Sequence, residues 1–291
     1  MTQRVFYPGS NWLYFKIYTS IKNADKLLVN NLSDYTDDLY KKKLIDKWFF
    51  IRYNDPQNHI RLRIHLSSLD HFSEIFSLFN LFFEKEMVKG SVWNLKIDTY
   101  SRELERYGSE RIEEVESIFW IDSLSISNLL REIDSSSDKY EIRWQTGLLL
   151  VDGLFDAFDY SLDERSQLIN HISNSYLQEF NFKSAIQTKQ LNDKYRKNRS
   201  LIEKVMKKVT VSVSEQSLIE KRNFQITEIF QIINNNGKIK KEDHDSLLSS
   251  LIHMSMNRLF ISNNRANELV LYYLLSKYYN SFKARQKMNI I

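Results

Sequence analysis

Hydrophobic positions follow one rhythm up to about residue 108 and another after it. Trp12-Leu13-Tyr14-Phe15-Lys16-Ile17-Tyr18 carries the aromatic and β-branched residues that suit a pleated surface and predicts a strand. A helical stretch follows from about Ser20 to Lys47, with apolar residues at Leu27, Leu28, Leu32, Leu39 and Leu44. Trp48 to Tyr53 and His59 to Leu66 predict two more strands, and the turn formers Asn54-Asp55-Pro56-Gln57-Asn58 between them suit a hairpin loop. Asp70 to Lys89 is apolar on more than one side, through Phe72, Ile75, Phe76, Leu78, Phe79, Phe82 and Phe83, and predicts a buried helix with Gly90 as its stop. A further strand is expected from Val92 to Tyr100.

Beyond Gly108 the strand signal fades, and the helical period predicts helices near 110–135, 140–158, 163–180, 182–208, 215–235, 242–261 and 266–288. Ser135-Ser136-Ser137 and Asn234-Asn235-Asn236-Gly237 are short enough to be turns between helices and too short to be domain linkers. The expected fold is α+β: an N-terminal mixed sheet with helices, followed by a largely helical C-terminal half, in one compact unit. That single domain would span residues 1–291, sheet-rich over 1–108 and helical over 109–291.

Composition narrows the chemistry. At 42% hydrophobic and 13% aromatic, with 16 Tyr and 18 Phe, the chain has ample material for a core. The absence of Cys removes disulfides, thiolate nucleophiles and Cys-ligated metal. The net charge of +4 comes from basic residues interleaved with 37 acidic ones, so no contiguous footprint for nucleic acid is expected. No Gly-rich phosphate loop or G-x-S-x-G elbow occurs. No apolar run reaches a membrane span and no signal core opens the chain, which makes the cytoplasm the expected compartment. Lys41-Lys42-Lys43 reads as a solvated face.

Three segments carry candidate chemistry. In His59-Ile60-Arg61-Leu62-Arg63-Ile64-His65-Leu66, strand alternation sends the aliphatic residues to the core and lines up His59, Arg61, Arg63 and His65 on the other side. Such a cationic ladder suits a bound carboxylate, or else arginines paired with nearby acids. Tyr100-Ser101-Arg102-Glu103-Leu104-Glu105-Arg106-Tyr107-Gly108 leaves a predicted strand and precedes a helix, a place for functional groups or for a solvated helix start. In Leu251-Ile252-His253-Met254-Ser255-Met256-Asn257-Arg258, His253 and Asn257 share a helix face; His253 is the best general acid/base candidate, or a hydrogen-bonded core histidine.

Together, Trp48-Phe49-Phe50-Ile51-Arg52-Tyr53-x-Asp55-Pro56-x-x-His59-Ile60-Arg61-Leu62-Arg63, Tyr100-x-Arg102-Glu103-x-Glu105-Arg106-Tyr107-Gly108 and His253-Met254-x-x-Asn257-Arg258 resemble, in order and spacing, the lantibiotic dehydratase C-terminal family, also called the thiopeptide-type bacteriocin biosynthesis domain. Trp12-Leu13-Tyr14-x-Lys16-Ile17-Tyr18 and the pair Tyr195-Arg196 add to the likeness, which spans nearly the whole chain. In that family a larger domain transfers glutamate from glutamyl-tRNA to Ser or Thr of a precursor peptide, and this domain eliminates it, leaving dehydroalanine or dehydrobutyrine. The resemblance implies a lyase half of a split class I lanthipeptide dehydratase, with glutamylation on another polypeptide.

By resemblance, Arg61, Arg63 and Arg102 hold the glutamyl group and stabilise developing negative charge, and His253 moves the proton. Arg106 is an alternative to Arg102; Tyr53, Tyr107 and Asn257 shape the pocket, although aromatic packing accounts for the two tyrosines equally well. No metal or organic cofactor is expected, since no His, Asp and Glu have ligand spacing. The implied partners are a glutamylated precursor peptide and a separate tRNA-dependent glutamylating subunit, with room for a lanthionine cyclase and a second copy of the chain. Two further readings remain: a thiopeptide-type cyclase joining two dehydroalanines in a formal [4+2] cycloaddition, and a peptide-binding subunit without chemistry of its own.

Overall fold

The computed structural model describes residues 2–182, 185–237 and 239–288. Strands β1 (Val5–Phe6) and β2 (Trp12–Tyr18) open the chain. The stretch expected as one helix from Ser20 to Lys47 divides into α1 (Ile21–Leu27), a π-helical turn (Leu28–Leu32) and α2 (Ser33–Lys41). The wider turn explains the closely spaced leucines, because Leu27, Leu28, Val29 and Leu32 are all buried there. The helix ends early: Lys43 takes a left-handed φ of 59°, and Leu44 and Ile45 already turn into the core of the next strand.

That strand is β3 (Ile45–Asn54), and it forms a hairpin with β4 (Asn58–Leu66). Helix α3 (Phe72–Val88) follows and stops at Gly90, whose φ of 70° favours a residue without a Cβ. The single strand expected over Val92–Tyr100 is two, β5 (Asn94–Ile97) and β6 (Tyr100–Ser101), because Asp98 accepts from the Thr99 N–H and bends the chain. An antiparallel sheet in the order β3-β4-β2-β5 results, and β6 leaves it to pair with β1.

Short α4 (Leu104–Tyr107) leads into long helices: α5 (Ile112–Asp134), α6 (Lys139–Ala157), α7 (Leu162–Glu179), α8 (Ala185–Met206), α9 (Val213–Asn235), α10 (His244–Leu259) and α11 (Asn264–Lys287). The expected succession of helices and the turns at Ser135–Ser137 and Asn234–Gly237 are therefore present, and the α+β reading holds. Among the described residues no helix is long and apolar enough to cross a membrane. Lys41, Lys42 and Lys43 are exposed as expected.

Alternation in β4 sends Ile60, Leu62, Ile64 and Leu66 fully into the core. With Leu13, Phe15 and Ile17 of β2 they form the apolar sheet face, where Phe15 packs against Phe79 and Phe83 of α3. The outer edge of β3 is closed by side chains instead of another strand. Phe50 N–H donates to Ser123 Oγ of α5 (3.2 Å), and its carbonyl accepts from Arg258 Nε of α10 (2.9 Å). Two residues on, Asn257 accepts from Arg52 N–H (2.8 Å) and donates to the Arg52 carbonyl (2.9 Å). The backbone groups of an edge strand are thus satisfied, and α10 is fixed in register against the sheet.

Candidate active site

The opposite sheet face is built by the cross-strand rows Tyr14–Arg63–Phe49 and Lys16–Arg61–Ile51, with Tyr18–His59–Tyr53 at the end. Arg63 has its guanidinium carbon 4.6, 4.9 and 5.3 Å from the ring centroids of Tyr14, Tyr100 and Phe49. Its Nε is buried without a hydrogen-bond partner. Arg61 stacks on Tyr53, with its guanidinium carbon 3.4 Å from the ring centroid, and donates from Nε to His59 Nε2 (3.2 Å). Neither Arg61 nor Arg63 has a carboxylate within 4 Å among the described residues, so the pairing of these two arginines with nearby acids, one of the two alternatives offered by the sequence, is not what is found.

The ladder is less uniformly cationic than its sequence suggests. His59 is buried, its ring set 4.9 and 5.5 Å from those of Tyr18 and Tyr53. Burial lowers its pKa, and the Arg61 guanidinium works in the same direction against the raising effect of its bond to the Gln57 carbonyl. His65 is held by Asp46 (2.7 Å) and Asn11 (2.9 Å).

Tyr53 connects this face to a cavity of about 480 Å³ lined by His253, Asn257, Arg52, Arg265 and the start of α11. His253 Nδ1 lies 3.0 and 3.1 Å from the two carboxylate oxygens of Glu268, which is completely buried and also accepts from Tyr176 and Arg265. With Nδ1 engaged, Nε2 is the nitrogen left for the cavity. Burial, followed by the charge of Glu268, pushes the Tyr176 hydroxyl far above its ordinary range, so it stays a donor to that carboxylate. His253 is thus both hydrogen-bonded and cavity-lining, the two readings left open by its sequence.

Arg102 and Tyr107 stand elsewhere. Arg102 is buried and its fork is filled by Glu116, with Nε to Oε1 at 2.7 Å and Nη2 to Oε2 at 2.6 Å. The Tyr100 hydroxyl donates to the same carboxylate (2.8 Å). The direct glutamyl contact expected of Arg102 therefore meets a guanidinium already occupied, and its arrangement is that of a residue that holds Tyr100 over Arg63. Tyr107 is buried edge-on against Phe119, and burial pushes its hydroxyl up to about 12, which is packing. Arg106 is more open: Nε donates to Ser250 Oγ of α10 at 3.1 Å, three residues before His253. Asn257 lines the cavity, yet its amide is spent on the β3 backbone. Tyr195 and Arg196 lie on α8, outside the cavity lining.

Behind the site two aspartates each hold two arginines. Asp25 binds Arg52 and Arg143 at 2.5 Å, and Asp122 binds Arg222 at 2.7 Å and Arg258 at 2.8 Å. Desolvation works to raise the Asp25 carboxyl, but the two guanidiniums outweigh it and keep the group below its ordinary range. Each cluster carries one excess positive charge, so the wall between β3 and α10 is electropositive from within. Glu268, Asp25 and Asp122 were not singled out from the sequence. The signal was present at Glu268, an acid in the core stripe it shares with Leu271, Tyr272 and Leu275. No group of three or more potential metal ligands occurs among the described residues.

Comparison with known proteins agrees with this architecture. Residues 12–279 match the family described as lantibiotic biosynthesis dehydratase C-term. The nisin biosynthesis protein NisB of Lactococcus lactis subsp. lactis is 29% identical over 94% of this chain and 26% of its own length. The subtilin biosynthesis protein SpaB of Bacillus subtilis is 24% identical over 99% of this chain and 27% of its own. The chain thus spans about a quarter of the length of the curated relatives it matches. Among solved structures, the tRNA-dependent lantibiotic dehydratase MibB from Microbispora superposes with a TM-score of 0.75 at 18% identity, over 95% of this chain and 29% of that one. The pyridine synthase TbtD from thiomuracin biosynthesis superposes at 0.63 and 10% identity, over 94% of this chain and 99% of that one. The three motifs, the sheet with its helical half and the matched span together place the chain in the lantibiotic biosynthesis dehydratase C-terminal family.

Proposed function

We propose that this chain catalyses β-elimination of glutamate from glutamylated Ser or Thr of a precursor peptide. The observation that carries the reading is a pair of adjacent guanidiniums, Arg61 and Arg63, without carboxylate partners, joined through Tyr53 to the cavity of a carboxylate-anchored His253. In the reaction a base takes the Cα proton, the Cα–H electrons form the Cα=Cβ bond, and the Cβ–O bond breaks to release glutamate as its α-carboxylate. His253 is assigned the proton transfer, with buried Glu268 opposing the charge that an imidazolium would carry. Arg61 and Arg63 are assigned to the leaving carboxylate and to the enolate-like charge on the adjacent amide, tasks that suit half-buried guanidiniums without carboxylate partners. Arg106 borders the same region from α4, whereas Arg102 positions Tyr100 through Glu116.

The substrate would come from a tRNA-dependent glutamylating activity, and its dehydrated product would pass to a lanthionine-forming cyclase. Incubating the purified protein with a chemically glutamylated peptide and following glutamate release by mass tests the reading. Release should be abolished in Arg63→Ala and His253→Ala, and no release from the wild type would remove it. A second reading is favoured by the extent of the fold shared with TbtD: joining of two dehydroalanines into a pyridine ring. A peptide carrying two dehydroalanines and no glutamate separates the two, since only the synthase would consume it.

A further inference from the structure

The two edges of the sheet are finished differently. The outer edge of β3 is closed by Ser123, Asn257 and Arg258, whereas β5 ends the sheet on its other side. The hydrogen-bonding parity of β2 decides what β5 leaves open. Leu66 N–H donates to the Asn11 carbonyl (2.8 Å) and Asp98 N–H to the Tyr14 carbonyl (3.0 Å), so the odd residues of β2 bond to β4 and its even residues to β5. In β5 it is therefore Asn94 and Lys96 that bond inward, and Leu95 and Ile97 that direct N–H and C=O away from the sheet. Those outward backbone groups have no hydrogen-bond partner among the described residues.

The side chains along this edge are open as well. Trp93 and Ile97 are exposed, and the Trp93 ring lies 5.3 Å from that of Tyr18. Lys96 is exposed, with Nζ 5.4 Å from the Tyr18 ring centroid and no carboxylate within 4 Å among the described residues. Register puts it at the end of the row Lys96–Lys16–Arg61–Ile51, on the ladder face, where Lys16 is already paired with Asp98. A strand added at β5 would continue the ladder face, three strand spacings or about 14 Å from Arg61. An edge lysine opposes self-pairing, because the antiparallel register in which two copies of β5 both use Leu95 and Ile97 sets Lys96 directly opposite Lys96. The same lysine favours a strand that brings a carboxylate to that place.

We infer that β5 docks an extended segment of the substrate peptide as a fifth, antiparallel strand with an acidic residue facing Lys96, the peptide substrate itself resting on the elimination reading. Leu95 and Ile97 exchange main-chain bonds with the segment, and Lys96 meets the acid on the ladder face at the closely spaced position between those bonds. The neighbours of the acid lie on the other side, with Leu95 and Ile97, and suit β-branched residues. The separation from the ladder sets a spacing: about four extended residues join the docked segment to a glutamylated residue over Arg61 and Arg63.

The probe is a synthetic peptide in which glutamate is amide-linked to diaminopropionate in place of the ester, joined through about four residues to the segment Thr-Val-Glu-Val-Thr, and made with the segment before or after the modified residue. With one of the two orders, hydrogen exchange should slow at the Leu95 and Ile97 amides of the wild type, and affinity should exceed that for the same peptide with Lys in place of the segment's Glu by about 5-fold. Lys96→Glu should reverse that preference. Ile97→Pro removes an outward N–H that the sheet does not use and should weaken binding of both peptides. Amides that exchange as fast as without peptide, or a preference unchanged in Lys96→Glu, would overturn the assignment. A dimer in sedimentation that Ile97→Pro dissolves would overturn it too, by giving the edge to a second copy. Lys96→Glu should release glutamate from a short esterified peptide without the segment at the wild-type rate. Failure of docking is thus read from binding without turnover, and failure of elimination from release by the wild type.

Discussion

Both carboxylate oxygens of Glu268 close on a single nitrogen of His253, at 3.0 and 3.1 Å, from a position with no solvent exposure. A buried acid so placed fixes the ring and would oppose the charge the ring gains in the proposed proton transfer. Glu268→Gln should lower kcat for glutamate release by about 10- to 100-fold with little change in KM. A merely structural Glu268 would instead lower thermal stability and leave kcat per folded molecule unchanged, which a combined melting and rate measurement distinguishes.

Arg61 and Arg63 are the next test. Arg63→Ala should cut release by about 100-fold or more while glutamylated peptide still binds, so that the glutamylated species accumulates. Arg63→Lys should not restore the rate, because a point ammonium cannot replace a planar fork seated among three rings. Unchanged release in both variants would leave the ladder without a catalytic part.

Arg102 and Glu116 form a buried bidentate pair, and removing one partner strands the other's charge. Arg102→Ala should cost about 3–5 kcal/mol in chemical denaturation. The double variant Arg102→Met with Glu116→Leu should recover most of that loss. If it also recovers glutamate release, Arg102 acts through the fold; if release stays absent, Arg102 touches the substrate after all.

Asn257 bridges N–H and carbonyl of Arg52 across helix and strand. Asn257→Ala should cost about 1–3 kcal/mol by leaving two backbone groups unsatisfied. Hydrogen exchange should show the loss first at the Arg52 amide, and an Arg52 amide as protected as in the wild type would contradict the strap.

His59 makes stability depend on pH. Its folded pKa lies below the ordinary 6.5, chiefly through burial, so the unfolded chain binds more protons in that range. Stability should therefore fall as the pH drops below about 6.5, and His59→Gln should lose less than the wild type between about pH 7.5 and about pH 5.5. Equal losses in urea titrations of the two proteins would show that His59 does not carry the effect.

Much of this was legible along the chain. The period-two rows of β2 and β4 and the helical repeats after Gly108 report directly which side of each element is buried, so the α+β division and the inward Ile60, Leu62 and Ile64 could be read locally. Local signals failed where two structures share a pattern. The leucines from Leu27 to Leu44 fit a straight helix until a π turn and the left-handed Lys43 redirect it, and Asp98 divides what reads as one strand. Tyr195-Arg196 matched the family pattern and still lies away from the cavity.

What the sequence by itself determined was the set of elements, the family and the residue types that could handle a carboxylate and a proton, because periodicity and motif spacing are properties of neighbours in the chain. Only the tertiary structure decided which of those residues are free to act. Arg102 and Arg63 look alike in sequence, but Glu116 sits against one and three aromatic rings surround the other. Such partners come from distant elements, and the charge state and reach of a guanidinium or an imidazole depend on what the fold packs against it.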